Sequence, residues 1–240
     1  GVSFLSFAPG IAFFVVLLIT VILLSYRKVI KAYPSGGGDY EVATKNLGKI
    51  PALIVASALL LDYVMTVAVS IAAGTDNIIS AFPELAPWRV EIAVGFVILL
   101  CAINLRGVRE SGIAFAIPTY LFITSVFVMI FTGLFKLASG QELVAPSAGY
   151  EVTVIDQLAS SSQTAMILLL LRAFASGCSA LTGIEAIANG IPAFRKPKIK
   201  NAQTTLALMG ATAIAMFVGV TALALISGVK YAEVPCEQLE

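Results

Sequence analysis

The run Ile50-Pro-Ala-Leu-Ile-Val-Ala-Ser-Ala-Leu-Leu-Leu-Asp62-Tyr-Val-Met-Thr66-Val-Ala-Val-Ser70-Ile-Ala-Ala-Gly-Thr75 decides what kind of molecule this is. A helix that crosses a bilayer takes about 20 predominantly apolar residues, and this run supplies them. One ionisable group, Asp62, sits near its middle. The rest of the chain has the same character. Of its 240 residues, 59% are hydrophobic and 12% charged, against about 45–50% and about 25% in soluble domains. Mean hydropathy is +0.96. A water-soluble protein needs more polar surface than this to cover its core. The same figures exclude disordered, collagen-like, coiled-coil and disulfide-scaffold chains, so the expected solvent is lipid.

Six apolar spans are expected, at residues 4–26, 50–75, 88–105, 112–135, 165–194 and 202–229, the fifth interrupted by breaks. The fold class they predict is all-α, a polytopic membrane helix bundle. Six spans place the loops alternately on two sides. One side holds eleven basic residues: Arg27, Lys28, Lys31, Lys45, Lys49, Arg106, Arg109, Arg195, Lys196, Lys198 and Lys200. The other holds Arg89, Lys136 and Lys230, while Arg172 falls within a span. The Lys/Arg bias assigns loops 27–49, 106–111 and 195–201 to the cytoplasm. Nine of the acidic residues lie on the opposite side and three on the basic side. The first span therefore runs inward, and the reading expects a piece of a longer protein with one more helix upstream. No secretory signal peptide is expected, since residues 11–24 form too long a run without a cleavage-type flank.

Several function classes are excluded. Net charge is +1, which indicates neither nucleic acid nor an acidic substrate as partner. The chain has no histidine, and Cys101, Cys178 and Cys236 are far apart. No metal cluster, disulfide framework or cofactor is expected. An enzyme would need a nucleophile with a base or a metal, and no Ser-Lys or Cys-cluster arrangement offers one. Gly36-Gly37-Gly38 lacks the Gly-Lys-Ser/Thr ending and the preceding strand of a phosphate loop, and reads as a turn at a helix start. Pro118 predicts a kink in the fourth span.

Two places in the spans carry polar groups that lipid would not tolerate without a purpose. An ionised carboxylate at the bilayer centre costs about 2.5–3.5 kcal/mol on insertion scales. Asp62, Thr66 and Ser70 share one helix face through i, i+4, i+8 spacing. That face offers a carboxylate and two hydroxyl oxygens, ligands suited to a dehydrated hard cation, or a site for a proton. A carboxyl paired with Arg172 or a helix backbone, locking helices together, is the other reading. The second place is Arg172-Ala-Phe-Ala-Ser-Gly-Cys-Ser-Ala-Leu-Thr-Gly-Ile-Glu-Ala-Ile-Ala-Asn-Gly190. Gly177 and Gly183 flank Ser179 and Thr182 and precede an acid, Glu185. That combination predicts a discontinuous helix whose unwound carbonyls bind ion or substrate, while a close helix contact through small residues is the alternative. Asn189-Gly-Ile-Pro192 marks the cytoplasmic end of this span. Arg195–Lys200 reads as an ordinary basic loop.

Tyr33-Pro-Ser-Gly-Gly-Gly38 with Tyr40, Asp62 through Gly74, Asn104-Leu-Arg-Gly-Val-Arg-Glu-Ser-Gly112 and Ala175 through Ala186 together resemble the amino acid–polyamine–organocation (APC) superfamily of permeases. The resemblance covers nearly the whole chain. It implies a LeuT-type inverted-repeat fold, with the six spans as helices two to seven, in the cytoplasmic membrane. Within the superfamily the chain looks most like potassium importers of the KimA/Kup kind. That resemblance assigns ion-site roles to Asp62 and Thr66, and to Thr182 and Glu185, with weaker support for Ser179 and Gly177. It implies a secondary transporter taking up K⁺ with H⁺ by alternating access, Asp62 and Glu185 carrying charge and proton. An amino acid permease is the alternative. The expected partners are the lipid bilayer and a small cation or amino acid, and a homodimer is a further expectation. Helices one and eight onward lie outside this stretch, which alone is not expected to transport.

Overall fold

A computed structural model describes residues 8–105, 107–149, 167–168, 171 and 183–229. Within them the regular structure is helical: α1 (Ala8–Ala32), α2 (Gly38–Leu47), α3 (Lys49–Ala81), α4 (Arg89–Leu105), α5 (Val108–Ala138), α6 (Ile184–Asn189) and α7 (Lys198–Ile226). Two short 3₁₀ turns, Pro83–Trp88 and Ile191–Ala193, precede α4 and follow α6. Five stretches are long and apolar enough to cross a membrane: Pro9–Ala32, Lys49–Ala81, Pro83–Leu105, Gly112–Ala138 and Lys198–Ile226.

The observed ends differ from the hydropathy ranges for local reasons. α1 continues past Arg27 and Lys28 to Ala32, because long basic side chains do not interrupt helical backbone and favour a helix C-terminus. α3 continues to Ala81, so Asp76 stands on its last turns rather than in a loop. Pro51 lies in the first turn of α3, where a missing amide hydrogen costs nothing. Pro118 lies inside α5 without ending it. The stretch between the first two spans is not all loop. It holds α2, which carries Asp39 and Glu41 in its first turn and a Glu41–Lys45 ion pair of 2.8 Å. Gly48, at φ +93, separates α2 from α3. Most of the fifth expected span falls outside the described residues.

The chain divides into two compact units, residues 1–38 with 126–240, and residues 39–125. In the first, α7 packs along α1. Gly210 makes this approach possible: a Cβ there would come within 2.6 Å of Leu23 Cδ2. The C-terminal part of α5 meets α7 the same way, Gly133 beneath Leu223 and Gly219 beneath Ile130. Small residues at such crossings let backbones come close where lipid gives no hydrophobic drive to associate. Gln203 Nε2 donates to the Arg27 carbonyl at 2.9 Å, a polar tie between α7 and α1. At one end of this unit α6 joins the bundle, where Ile184, Ile187, Ala188 and Ile191 are buried with Ile30, Ala202 and Leu206.

In the second unit α3 and α4 pack against each other across the Pro83–Trp88 turn. Phe82 N–H closes α3 on the Ile78 carbonyl at 2.9 Å, and Asp76 pairs with Arg89 across the turn. Ala52 and Thr75 are the buried residues of α3. The large apolar side chains along its middle, Leu60, Leu61, Val64 and Met65, are exposed, as surface built for lipid or for further helices would be.

Candidate functional site: the polar stripe of α3 and the short helix α6

α3 presents its polar face as the spacing predicts. Asp62 and Ser70 are exposed and Thr66, one turn after the acid, is half-buried. Hydroxyls in apolar helices usually donate to the carbonyl one turn back, which satisfies their hydrogen. Ser57 of the same helix does so, to Leu53 O at 2.9 Å, as do Thr20, Thr119 and Thr132 elsewhere. Thr66 and Ser70 do not, and among the described residues no group pairs with the Asp62 carboxylate. A carboxylate and two hydroxyls thus stand in axial register, each with acceptor lone pairs to offer. Oxygen sets of this kind suit a hard monovalent or divalent cation, or a proton on the carboxyl. Thr75 is different. It is buried, its Oγ1 has no partner among the described residues, and it lies on another side of the helix from Thr66.

α6 is built around a backbone reversal. Gly183 takes φ +93, a left-handed conformation that favours glycine, and the helix begins immediately after it. Glu185 stands in the first turn, half-buried. Its Oε1 accepts from Asn189 Nδ2 at 3.0 Å, one turn on. A hydrogen bond to a charged group is worth about 1.5–3 kcal/mol. The face opposite is fixed by burial of Ile184, Ile187 and Ala188.

α6 packs beside the far end of α1. The cluster containing α6 takes in Ile30, on the last turn of α1 beyond Arg27 and Lys28. The turn that follows α1 lies directly against α6. A Cβ on Gly36 would come within 2.8 Å of Pro192 Cδ and 3.0 Å of the Asn189 carbonyl. A Cβ on Gly38 would overlap Asn189 Oδ1 and come within 3.3 Å of Glu185 Oε1. Glu185 is therefore at the level of the charged end of α1.

Thr182, Ser179 and Gly177 lie outside the described residues, as does Arg172. Asp62, Thr66 and Ser70 belong to one unit and Glu185 to the other. Asn189 and the glycine turn are the residues the sequence reading missed. The i, i+4 spacing of Glu185 and Asn189 could have shown the pair, whereas the contact with Gly36 and Gly38 comes from the tertiary fold alone.

Comparison with known proteins assigns the family. The amino acid permease model matches residues 2–234. The potassium transporter KimA of Bacillus subtilis (strain 168) is 48% identical over 220 residues, which cover 89% of this chain and 34% of KimA. The low-affinity putrescine importer PlaP of Escherichia coli (strain K12) is 28% identical over 97 residues, 40% of this chain and 21% of PlaP. The chain thus spans about a third of the length of KimA, and its match covers about a fifth of PlaP. These are transporters, not enzymes, and their family together with five membrane-length helices makes this a multi-pass integral protein of the plasma membrane. The chain belongs to the amino acid permease family, within the APC superfamily.

Proposed function

We propose that the chain is part of a carrier that imports K⁺ together with H⁺ by alternating access. The observation that carries the proposal is the α3 stripe: an acid in the middle of a long apolar helix, followed at one and two turns by hydroxyls that make no bond within the helix. An amino acid brings its own carboxylate and ammonium and gains little from a fixed acid on the site. A bare cation needs one to replace its hydration. The 48% identity to a protein named a potassium transporter supports the same choice.

In this reading Asp62 supplies the compensating charge, and Thr66 and Ser70 supply neutral oxygens. Glu185 carries the second negative charge and exchanges a proton, with oxygens from Thr182, Ser179 and the backbone at Gly177. Carriers of this architecture are built from inverted repeats, and rocking of one repeat against the other exposes a central site to each side in turn. Loops 27–49, 106–111 and 195–201 face the cytoplasm.

A second reading, import of an amino acid or polyamine, is favoured by the family description and the PlaP similarity. The full-length protein, reconstituted in liposomes, separates the two. Saturable Rb⁺ uptake, stimulated by an inward proton gradient and not competed by amino acids or putrescine, is the expected result. Uptake of labelled amino acid or putrescine with no Rb⁺ flux would replace the K⁺ reading by the second one.

A further inference from the structure

We infer that the Gly36–Gly38 turn is a steric clasp on α6, and that Asn189 is the positioning residue that couples the clasp to Glu185. The chain of contacts lies wholly within one compact unit. A carboxylate only accepts hydrogen bonds, so the Asn189 amide must turn its NH₂ toward Glu185 Oε1, 3.0 Å away. That leaves Asn189 Oδ1 facing Gly38, in the volume a Cβ there would need. Gly36, two residues earlier, covers the Asn189 carbonyl and the Pro192 ring. Both glycines are buried and both have positive φ, +85 and +47. The turn has no side chain at either glycine, and at Gly38 it reaches α6 beside an amide tied to the acid.

A bulkier residue at Gly36 meets a proline ring and a backbone carbonyl, neither of which can yield. At Gly38 the obstacle is the end of an asparagine side chain, which can yield only by leaving Glu185. The same exchange follows from loading. A cation or proton that binds at Glu185 Oε1 competes with the Asn189 NH₂ there. The released amide then needs the space that Gly38 leaves open. Occupancy of Glu185 is thereby transmitted to the turn after α1, and the turn slackens when the acid is loaded.

The loading step rests on the proposed role of Glu185 in transport, whereas the clasp itself does not. Two measurements on the full-length carrier keep the two apart. The first needs no substrate. In a variant with its native cysteines replaced, Ile191→Cys places a thiol at a residue buried in the α6 cluster. Maleimide labelling of that thiol should rise at least about fivefold on adding Gly38→Ala, and likewise on adding Asn189→Ala. Unchanged labelling in both overturns the clasp, whatever the protein carries. The second is flux of Rb⁺, or of putrescine or an amino acid if that is what the parent moves. Gly38→Ala should lower maximal flux about tenfold with the half-saturating concentration within twofold. Adding Asn189→Ala to it removes the obstructing side chain and should restore at least a third of parental flux. A double variant no better than Gly38→Ala, at equal abundance in the membrane, overturns the coupling. Absence of Rb⁺ flux in a parent that moves putrescine overturns the K⁺ reading and leaves the clasp to be judged on its own two results.

Discussion

A threonine hydroxyl in a membrane helix has one hydrogen to donate and two lone pairs to accept with. It can return its hydrogen to the carbonyl one turn back or leave it for another partner, and in either case its oxygen can face outward. Thr20, Thr119 and Thr132 take the first course. Thr66 does not, although Asp62 O is at the required i−4 position. If Thr66 is a cation ligand, the oxygen matters and the methyl does not. Thr66→Ser should then keep Rb⁺ affinity within about threefold, and Thr66→Val, which keeps shape and removes the oxygen, should weaken it at least about tenfold, or about 1.4 kcal/mol. Equal affinities in the two variants would show that the residue only packs. Ser57→Ala is the internal control, since Ser57 lies on the opposite side of α3 from Thr66. The acid and its hydroxyls were legible in the sequence because i+4 spacing and a charge in an apolar run need no tertiary knowledge. Asn189 was not, because an amide beside a chain end reads as a cap until its partner at Glu185 and its neighbour at Gly38 are seen.

At the level of elements, hydropathy finds helices because their length in lipid is set by bilayer thickness, and α1, α3, α5 and α7 overlap the ranges read from it. It does not find where helices stop, since a helix leaving the membrane keeps its hydrogen bonds: α3 runs on to Ala81 and α1 to Ala32. Nor does it find crossings. Gly210, Gly133 and Gly219 look alike in sequence to Gly10 and Gly95, but the first three lie under Leu23, Leu223 and Ile130 and the other two face open space. Overfilling such a contact costs about 1–3 kcal/mol. Gly210→Val should lower the melting temperature of the detergent-purified carrier, and Leu23→Ala in the same chain should recover part of the loss. Gly95→Val should leave it unchanged. A Gly210→Val protein as stable as its parent would contradict the close approach of α1 and α7 at Gly210 and Leu23.

For the molecule as a whole, the balance of basic residues makes a prediction about sides. Eleven Lys and Arg lie in loops assigned to the cytoplasm and three in those assigned outside. Cysteines placed singly at Ser35, Ser111 and Ala193 should react with an impermeant maleimide only from the cytoplasmic face. Cysteines at Glu84 and Ser139 should react only from the outer face. A reactive Glu84→Cys on the cytoplasmic side would reverse the assignment and, with it, the direction proposed for the first span. Composition showed the membrane and the resemblance showed the family, because both are properties of long stretches. How α6 seats against the end of α1 depends on a few contacts between distant segments, which no property of a long stretch shows.

The central claim is that Asp62 is in α3 to hold a positive charge in transit. Rb⁺ uptake by the full-length carrier, reconstituted at matched abundance with Asp62 or with Asp62→Asn, tests it most directly. Asparagine keeps the volume and removes the charge, so uptake should fall at least about a hundredfold while the protein still inserts and purifies as the parent does. Parental uptake by Asp62→Asn would contradict the account.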